Sequence, residues 1–378
     1  MEPVRLQMAP HTKAKHSILE RYLKGWFPIM SRWNGKIVYL DGFSGSGIYN
    51  DGSPGSPIIA LRVARDHFQR SAMRSGEKIF YFVEKDPATF ATLNSVIETE
   101  FGRRVGEARC EKLQENFRVY TENGDFNIEL AKVLDGIERD KSSLAPTFAF
   151  IDPFAYSLNM EVLSRILAYP RCEVFLTFMV GFLNRFIFAD EHLEPIKRTF
   201  GIDEDRVRNI REIADESERE TELGKILIEI LKSRIPVGTD CYWLSFKMLD
   251  QQNRSLYWLV YFTKNKKGMQ VMKDSMFEIG GQGEYRFSDF YFDAKQKRIL
   301  DYSTEEHWPT QAARYLYQKL RGRTMGIDQV KDFVLLQTPY IYRAKILNKL
   351  EDEKKIDVSL DRRRTRGTYP PGSLIRFL

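Results

Sequence analysis

Four short apolar runs, each leading on to a helical pattern, set the tightest limit on how this chain folds. Residues 36–40, 78–83, 117–120 and 147–151 are rich in Val, Ile, Phe and Tyr, and helical spacing follows each of them. Strands buried on both faces read as near-continuous apolar runs, so this order predicts a parallel sheet covered by helices on both sides. Ligand groups then gather at the carboxyl ends of the strands. Residues 173–178 predict a fifth strand, and residues 242–249 and 255–263 predict a hairpin around Gln251-Gln252-Asn253-Arg254. A first helix, capped by Thr12, carries Ile18, Leu19, Tyr22, Leu23 and Trp26 on one face, and a mainly helical insertion is expected over residues 184–236.

Each predicted strand of the first four ends at an acid: Asp41, Glu84, Asp125 and Asp152. After the first comes a tight turn, Asp41-Gly42-Phe43-Ser44-Gly45-Ser46-Gly47, in which Gly42, Gly45 and Gly47 leave backbone N–H groups open to an anionic or carboxylate-bearing ligand. Such a loop alone is often only a hairpin; the acids around it decide. A carboxylate after the second strand suits a ribose diol, which assigns that role to Glu84. The 43 positions from Asp41 to Glu84 exceed the roughly 20 of a dehydrogenase fingerprint, and Gly-x-Gly-x-x-Gly is missing, which weakens a nicotinamide reading. The alternative, with an adenosine and an amino acid carboxylate, is S-adenosylmethionine. Asp125 would then accept from the adenine amino group, Phe126 would stack on the ring, and Asp152, Pro153 and Phe154 would face the methyl group.

With 378 residues, 43% of them apolar and 13% aromatic, the chain is long enough for two domains with real cores. Residues 1–300 are expected to form the sheet domain and 307–378 a second module. No run nears the roughly 18 apolar residues of a membrane span, and no signal-peptide core opens the sequence, so a cytoplasmic protein without a membrane partner is expected. Cys110, Cys172 and Cys241 are scattered and odd in number, which predicts reduced thiols and no metal. The stretch from His307 to Leu378 holds 15 Lys and Arg against 7 Asp and Glu, a net +8 within a chain of net +6. Its order of three short helices and a terminal hairpin is that of a winged helix. Arg343, Lys345 and Lys349 would face a nucleic-acid groove, and Arg362, Arg363, Arg364 and Arg366 would form a wing over phosphates; docking of a protein is the alternative.

Several segments together resemble the three-Cys-motif partner protein (TcmP) family: the glycine turn, Gly55-Ser56-Pro57, Glu84-Lys85-Asp86-Pro87, Ile151-Asp152-Pro153-Phe154, the leading Lys15-His16 helix, and the late run with Thr263-Lys264, Gly268, Met272-Lys273 and Met276. The likeness covers most of the first 280 residues. It implies a Rossmann-like class I S-adenosylmethionine-dependent methyltransferase, related more distantly to the RlmJ-type 23S rRNA adenine-N6 methyltransferases. It also implies association with a three-cysteine-motif iron-sulfur protein, whose motif would lie in the partner. Through the resemblance Gly55, Ser56, Pro57 and Lys85 join the cofactor-binding set; Lys15 is assigned either to the cofactor carboxylate or target phosphate, or to an exposed helix face.

Adenine-type methyltransferases carry Asp-Pro-Pro-Tyr, whereas this chain has Asp152-Pro153-Phe154, closer to the tRNA guanine-N2 dimethyltransferase pattern. An exocyclic base amine, adenine N6 or guanine N2, in RNA or DNA is therefore the expected acceptor. Two rival readings stay open: a cofactor-binding accessory of the iron-sulfur partner, and a small-molecule or protein methyltransferase.

Overall fold

The computed structural model describes residues 7–32, 35–104, 106–154, 156–280, 286–288, 307–360 and 365–378. Helix α1 (Pro10–Ser31) opens the chain. Pro10 starts it with a preset φ, and Ala9 stands at the cap position without a side-chain bond; contrary to the expectation from sequence, Thr12 lies inside the first turn and does not cap.

Strands β1 (Ile37–Asp41), β2 (Lys78–Glu84), β3 (Phe117–Asn123), β4 (Thr147–Ile151) and β5 (Glu173–Phe178) run parallel, as the apolar runs predict. The hairpin β6 (Tyr242–Leu249) and β7 (Ser255–Thr263) joins through β7, which runs antiparallel to β5, and the short β8 (Arg286–Ser288) closes the far edge. The order β3-β2-β1-β4-β5-β7-β6-β8, with one reversed strand at β7, is a Rossmann-like α/β sheet. Helices α2 (Ser56–Asp66), α3 (Pro87–Phe101), α4 (Phe126–Arg139) and α5 (Met160–Ala168) fill the crossovers. The insertion consists of α6 (Val180–Phe186), α7 (Leu193–Phe200), α8 (Glu204–Glu212) and α9 (Glu216–Lys232). Helix α10 (Lys266–Ile279) follows β7 and lies along α1, where Gly25 admits Val271 so closely that a Cβ on the glycine would sit 2.7 Å from it.

Two apolar clusters, one on each face, enclose the sheet. A third belongs to α11 (His307–Leu320), β9 (Thr324–Gly326), α12 (Ile327–Gln337), α13 (Ala344–Asp352), β10 (Ile356–Ser359) and β11 (Leu374–Phe377). The three strands form an antiparallel sheet in the order β10-β11-β9. The third cluster borrows Phe277 of α10, whose ring meets Trp308 at 5.0 Å. Lys273 of α10, also buried, donates to the carbonyls of Val334, Leu335 and Thr338 at 2.6–2.7 Å, closing the carboxyl end of α12. Among the described residues no helix is long and apolar enough to cross a membrane.

Candidate active site

β1 delivers Asp41 to the sheet rim, and the turn after it places Gly45 and Gly47 at φ +61° and +73°, where a side chain would be strained. A Cβ on Gly45 would meet nothing within 4 Å, so bare backbone is presented there. At Gly42 the space is taken instead by the Phe126 ring, 2.6 Å from where a Cβ would stand. Gly47 and Gly55 press together: the Gly55 N–H donates to the Gly47 carbonyl at 2.7 Å, and a Cβ on Gly55 would come 3.2 Å from that backbone. Gly55 thereby precedes α2, with Ser56 and Pro57 in its first turn.

Glu84 organises the turn from the neighbouring strand. One carboxylate oxygen accepts from the Gly45 N–H at 2.9 Å and the other from the Asp86 N–H at 2.8 Å, which fixes its orientation and leaves further lone pairs for a ligand. A cavity of 340 Å³ opens here, walled by the glycine turn, Tyr49, Glu84, His16, Asp152 and Phe154. This is within the size range of small-ligand sites. Glu84 and Asp152 thus line one cavity, although 68 positions separate them in the chain.

Lys15 reaches Asp152 from α1, its ammonium 2.5 Å from the carboxylate. It is 5% exposed, which excludes the exposed-face alternative. Burial pushes the Asp152 carboxyl upward, but the charge and hydrogen bond of Lys15 hold it below the ordinary carboxylate range. Asp152 is therefore an ionised acceptor, oriented from behind. The neighbouring His16 is buried with an unpartnered Nδ1, and burial together with Lys15 lowers its pKa to about 3, so the ring is neutral. The sequence carries a signal for the burial of Lys15, which shares the helical stripe of Ile18, Leu19 and Tyr22 at spacings of three, four and seven. Phe154, 74% exposed, stands at the cavity mouth.

Other expected residues lie elsewhere. Asp125 caps α4 through the Asn127 N–H at 3.0 Å and accepts from Lys85 at 3.1 Å; burial alone would raise its pKa, but these bonds lower it. Phe126 is buried behind Gly42, against Phe43. Neither Asp125 nor Phe126 lines the cavity. Arg343 faces Asp274 of α10 at 3.7 Å, Lys345 lies over the Trp308 ring at 5.0 Å, Lys349 is half-buried, and Arg366 pairs with Asp352 at 2.7 Å. Arg362, Arg363 and Arg364 lie outside the described residues.

Asp41 is wholly buried beneath the turn, and desolvation raises its pKa to about 7 despite bonds from Ser56 and the Phe43 N–H. A carboxyl whose folded pKa exceeds its unfolded one stabilises the fold at low pH, and that contribution is lost as pH rises through about 7. His16 works in the opposite sense, its contribution lost as pH falls from 6.5 toward about 3. Asp41→Asn is accordingly expected to raise stability at pH above 7 by an amount on the order of 4 kcal/mol, about three pH units at 1.36 kcal/mol each, and to expose the acid-side loss from His16. Thermal unfolding across pH 4 to 8 tests this; an unshifted alkaline melting temperature would contradict it.

No family model matches the sequence, and no curated protein is similar to it. Among solved structures, the fold is similar to Trm1 from Pyrococcus horikoshii, determined in complex with S-adenosyl-L-methionine, at 14% identity and a TM-score of 0.39 over 70% of this chain and 59% of that one. It is also similar to the protein LPL1258 from Legionella pneumophila, at 12% identity and a TM-score of 0.34 over 65% of this chain and 84% of that one. The chain thus spans about three fifths of the length of Trm1.

Proposed function

We propose that this protein is an S-adenosylmethionine-dependent methyltransferase whose acceptor is an exocyclic amine of a nucleic-acid base. The observation that carries the reading is that Glu84 and the Lys15-held Asp152 share one cavity with a bare glycine turn. Glu84, already oriented by two backbone donors, offers its free lone pairs to a ribose diol, and the open backbone at Gly45 admits a close-lying ligand. The unpartnered His16 nitrogen marks a place where this wall is polar. Trm1, a protein of similar fold, was determined with S-adenosyl-L-methionine bound, which is consistent with this choice of cofactor. When bound, that cofactor supplies an electrophilic methyl group on a sulfonium.

The chain's own part is acceptance and positioning. An aromatic amine is a weak nucleophile because its lone pair is delocalised, and the Asp152 carboxylate, held anionic by Lys15, can accept one of its N–H bonds and turn that lone pair outward. Phe154 at the mouth gives the base a ring to stack on. Holding reactants in attack geometry supplies up to about 7–11 kcal/mol, against roughly 1.5–3 kcal/mol for one charge-assisted hydrogen bond, so positioning dominates. We read residues 307–378 as a winged helix that supports substrate binding.

Transfer of labelled methyl groups from the cofactor to total RNA and DNA, followed by mass spectrometry of nucleosides, tests the proposal. Cofactor binding without transfer to either would favour an accessory role beside an iron-sulfur partner. Glu84→Ala is expected to weaken cofactor binding by at least tenfold, since it removes both the diol acceptor and the anchor of the turn; calorimetric titration checks this, and unchanged affinity would remove Glu84 from the site.

A further inference from the structure

Of the cations assigned from sequence to a groove-facing helix, Arg343 and Lys345 are exposed but lie against Asp274 and the Trp308 ring, and Lys349 is half-buried. α11 begins, α12 ends and α13 begins against α10: Trp308 on Phe277, the α12 carbonyls on Lys273, and Arg343 on Asp274. A cleft of 330 Å³ lies there between α10, α12 and residues 340–342. The opposite ends of the same helices meet at the small sheet, about 20 Å away along α11 by helical rise. Several of the module's unpaired cations stand at that end.

Arg321 and Lys355 both stand over the Tyr317 ring, at 5.9 and 5.3 Å. Arg323 receives the Phe377 N–H on its carbonyl, and Arg376 pairs with Thr324 in the strand ladder, so both join the same end. Lys354, at positive φ, makes the turn into β10 beside them. Arg321, Arg323, Lys354 and Arg376 are exposed and make no ion pair among the described residues; Lys355 pairs with Glu353. Asp357, opposite Arg376 in the ladder, makes no ion pair among the described residues either, so the cluster keeps a clear positive excess.

We propose that this cation cluster around Tyr317, and not the start of α13, is the surface by which the protein holds the phosphate backbone of a nucleic acid. The choice of nucleic acid as the polyanion rests on the base-amine reading of the cavity. Exposed cations in excess of the carboxylates beside them suit a dense row of phosphates, because each contact releases condensed counterions and binding then weakens steeply with salt.

The test uses the full chain and a labelled 20-nucleotide RNA, with the matching single-stranded DNA and phosphatidylserine vesicles as further arms. The combined variant R321Q/R323Q/K354Q/R376Q is expected to bind the oligonucleotides at least tenfold more weakly at about 0.1 M salt, with a log–log salt slope shallower by roughly two to three. K345Q/K349Q is expected to bind as the unaltered protein does. Retained cofactor affinity and melting temperature show that the fourfold variant is folded; should it unfold, the single changes R321Q and R376Q are each expected to weaken binding, and unchanged binding by both overturns the proposal. Unchanged oligonucleotide affinity in the fourfold variant, a loss confined to K345Q/K349Q, or dependence on the cluster for vesicles alone also overturns it. Cluster-dependent binding without any methyl transfer would instead leave this surface standing and remove the enzymatic reading.

Discussion

Replacing Asp152 by alanine is expected to lower methyl transfer by roughly 10- to 150-fold while leaving cofactor affinity within a few-fold, and to lower stability by about 3–5 kcal/mol. The two losses have separate causes. Removing one charge-assisted acceptor from the reacting amine lowers turnover roughly 10- to 150-fold, from about 1.5–3 kcal/mol, and any misplacement of the base adds to this. The stability loss arises because Lys15, 5% exposed, keeps its charge but loses its partner. Lys15→Met combined with Asp152→Ala should therefore recover most of the melting temperature and none of the activity. Undiminished activity in Asp152→Ala would dismiss it as the amine acceptor, and full stability in that variant would mean the pair is not buried in solution.

The second large effect is expected at Lys273. Lys273→Met keeps the length of the side chain but removes the ammonium donor from three carbonyls at the end of α12; Val334 keeps the Thr338 hydroxyl, while Leu335 and Thr338 lose their lysine donor, at about 1–3 kcal/mol for a buried carbonyl left without one. Loss of the module's attachment should follow, seen as faster proteolysis within residues 307–378 and a change in the fluorescence of Trp308, which rests on Phe277 of α10. Cofactor binding should persist, because the cavity is built from α1 and the strand ends. Unaltered proteolysis would show that the apolar contact at Phe277 suffices.

How far this was readable without coordinates varies by element for physical reasons. The parallel core was legible because β1, β2, β4 and β5 are buried on both faces and so carry uninterrupted apolar runs. β3 extends to Asn123, three residues past its expected end, because it is an edge strand whose outer part, Thr121-Glu122-Asn123, can be polar. β9 is three residues long and shows no periodicity, so nothing announced it. In the site, Glu84 and Asp152 were legible from strand ends, whereas the retreat of Phe126 behind Gly42 follows from packing between elements that sequence spacing does not encode. The seating of Arg343 on Asp274 is hidden for the same reason: it joins two helices 69 positions apart.

The placement of Lys15 on the first helix has a bearing on how the protein is made. α1 lies along α10, and α10 is among the last elements of the sheet domain to leave the ribosome. A growing chain that has emerged through β5 already carries Asp41, Glu84, Asp125 and Asp152, yet of the two helices on which its amino-terminal helix rests it has α2 and still lacks α10. The setting that holds Lys15 against Asp152 is therefore complete only when the two ends of the domain meet.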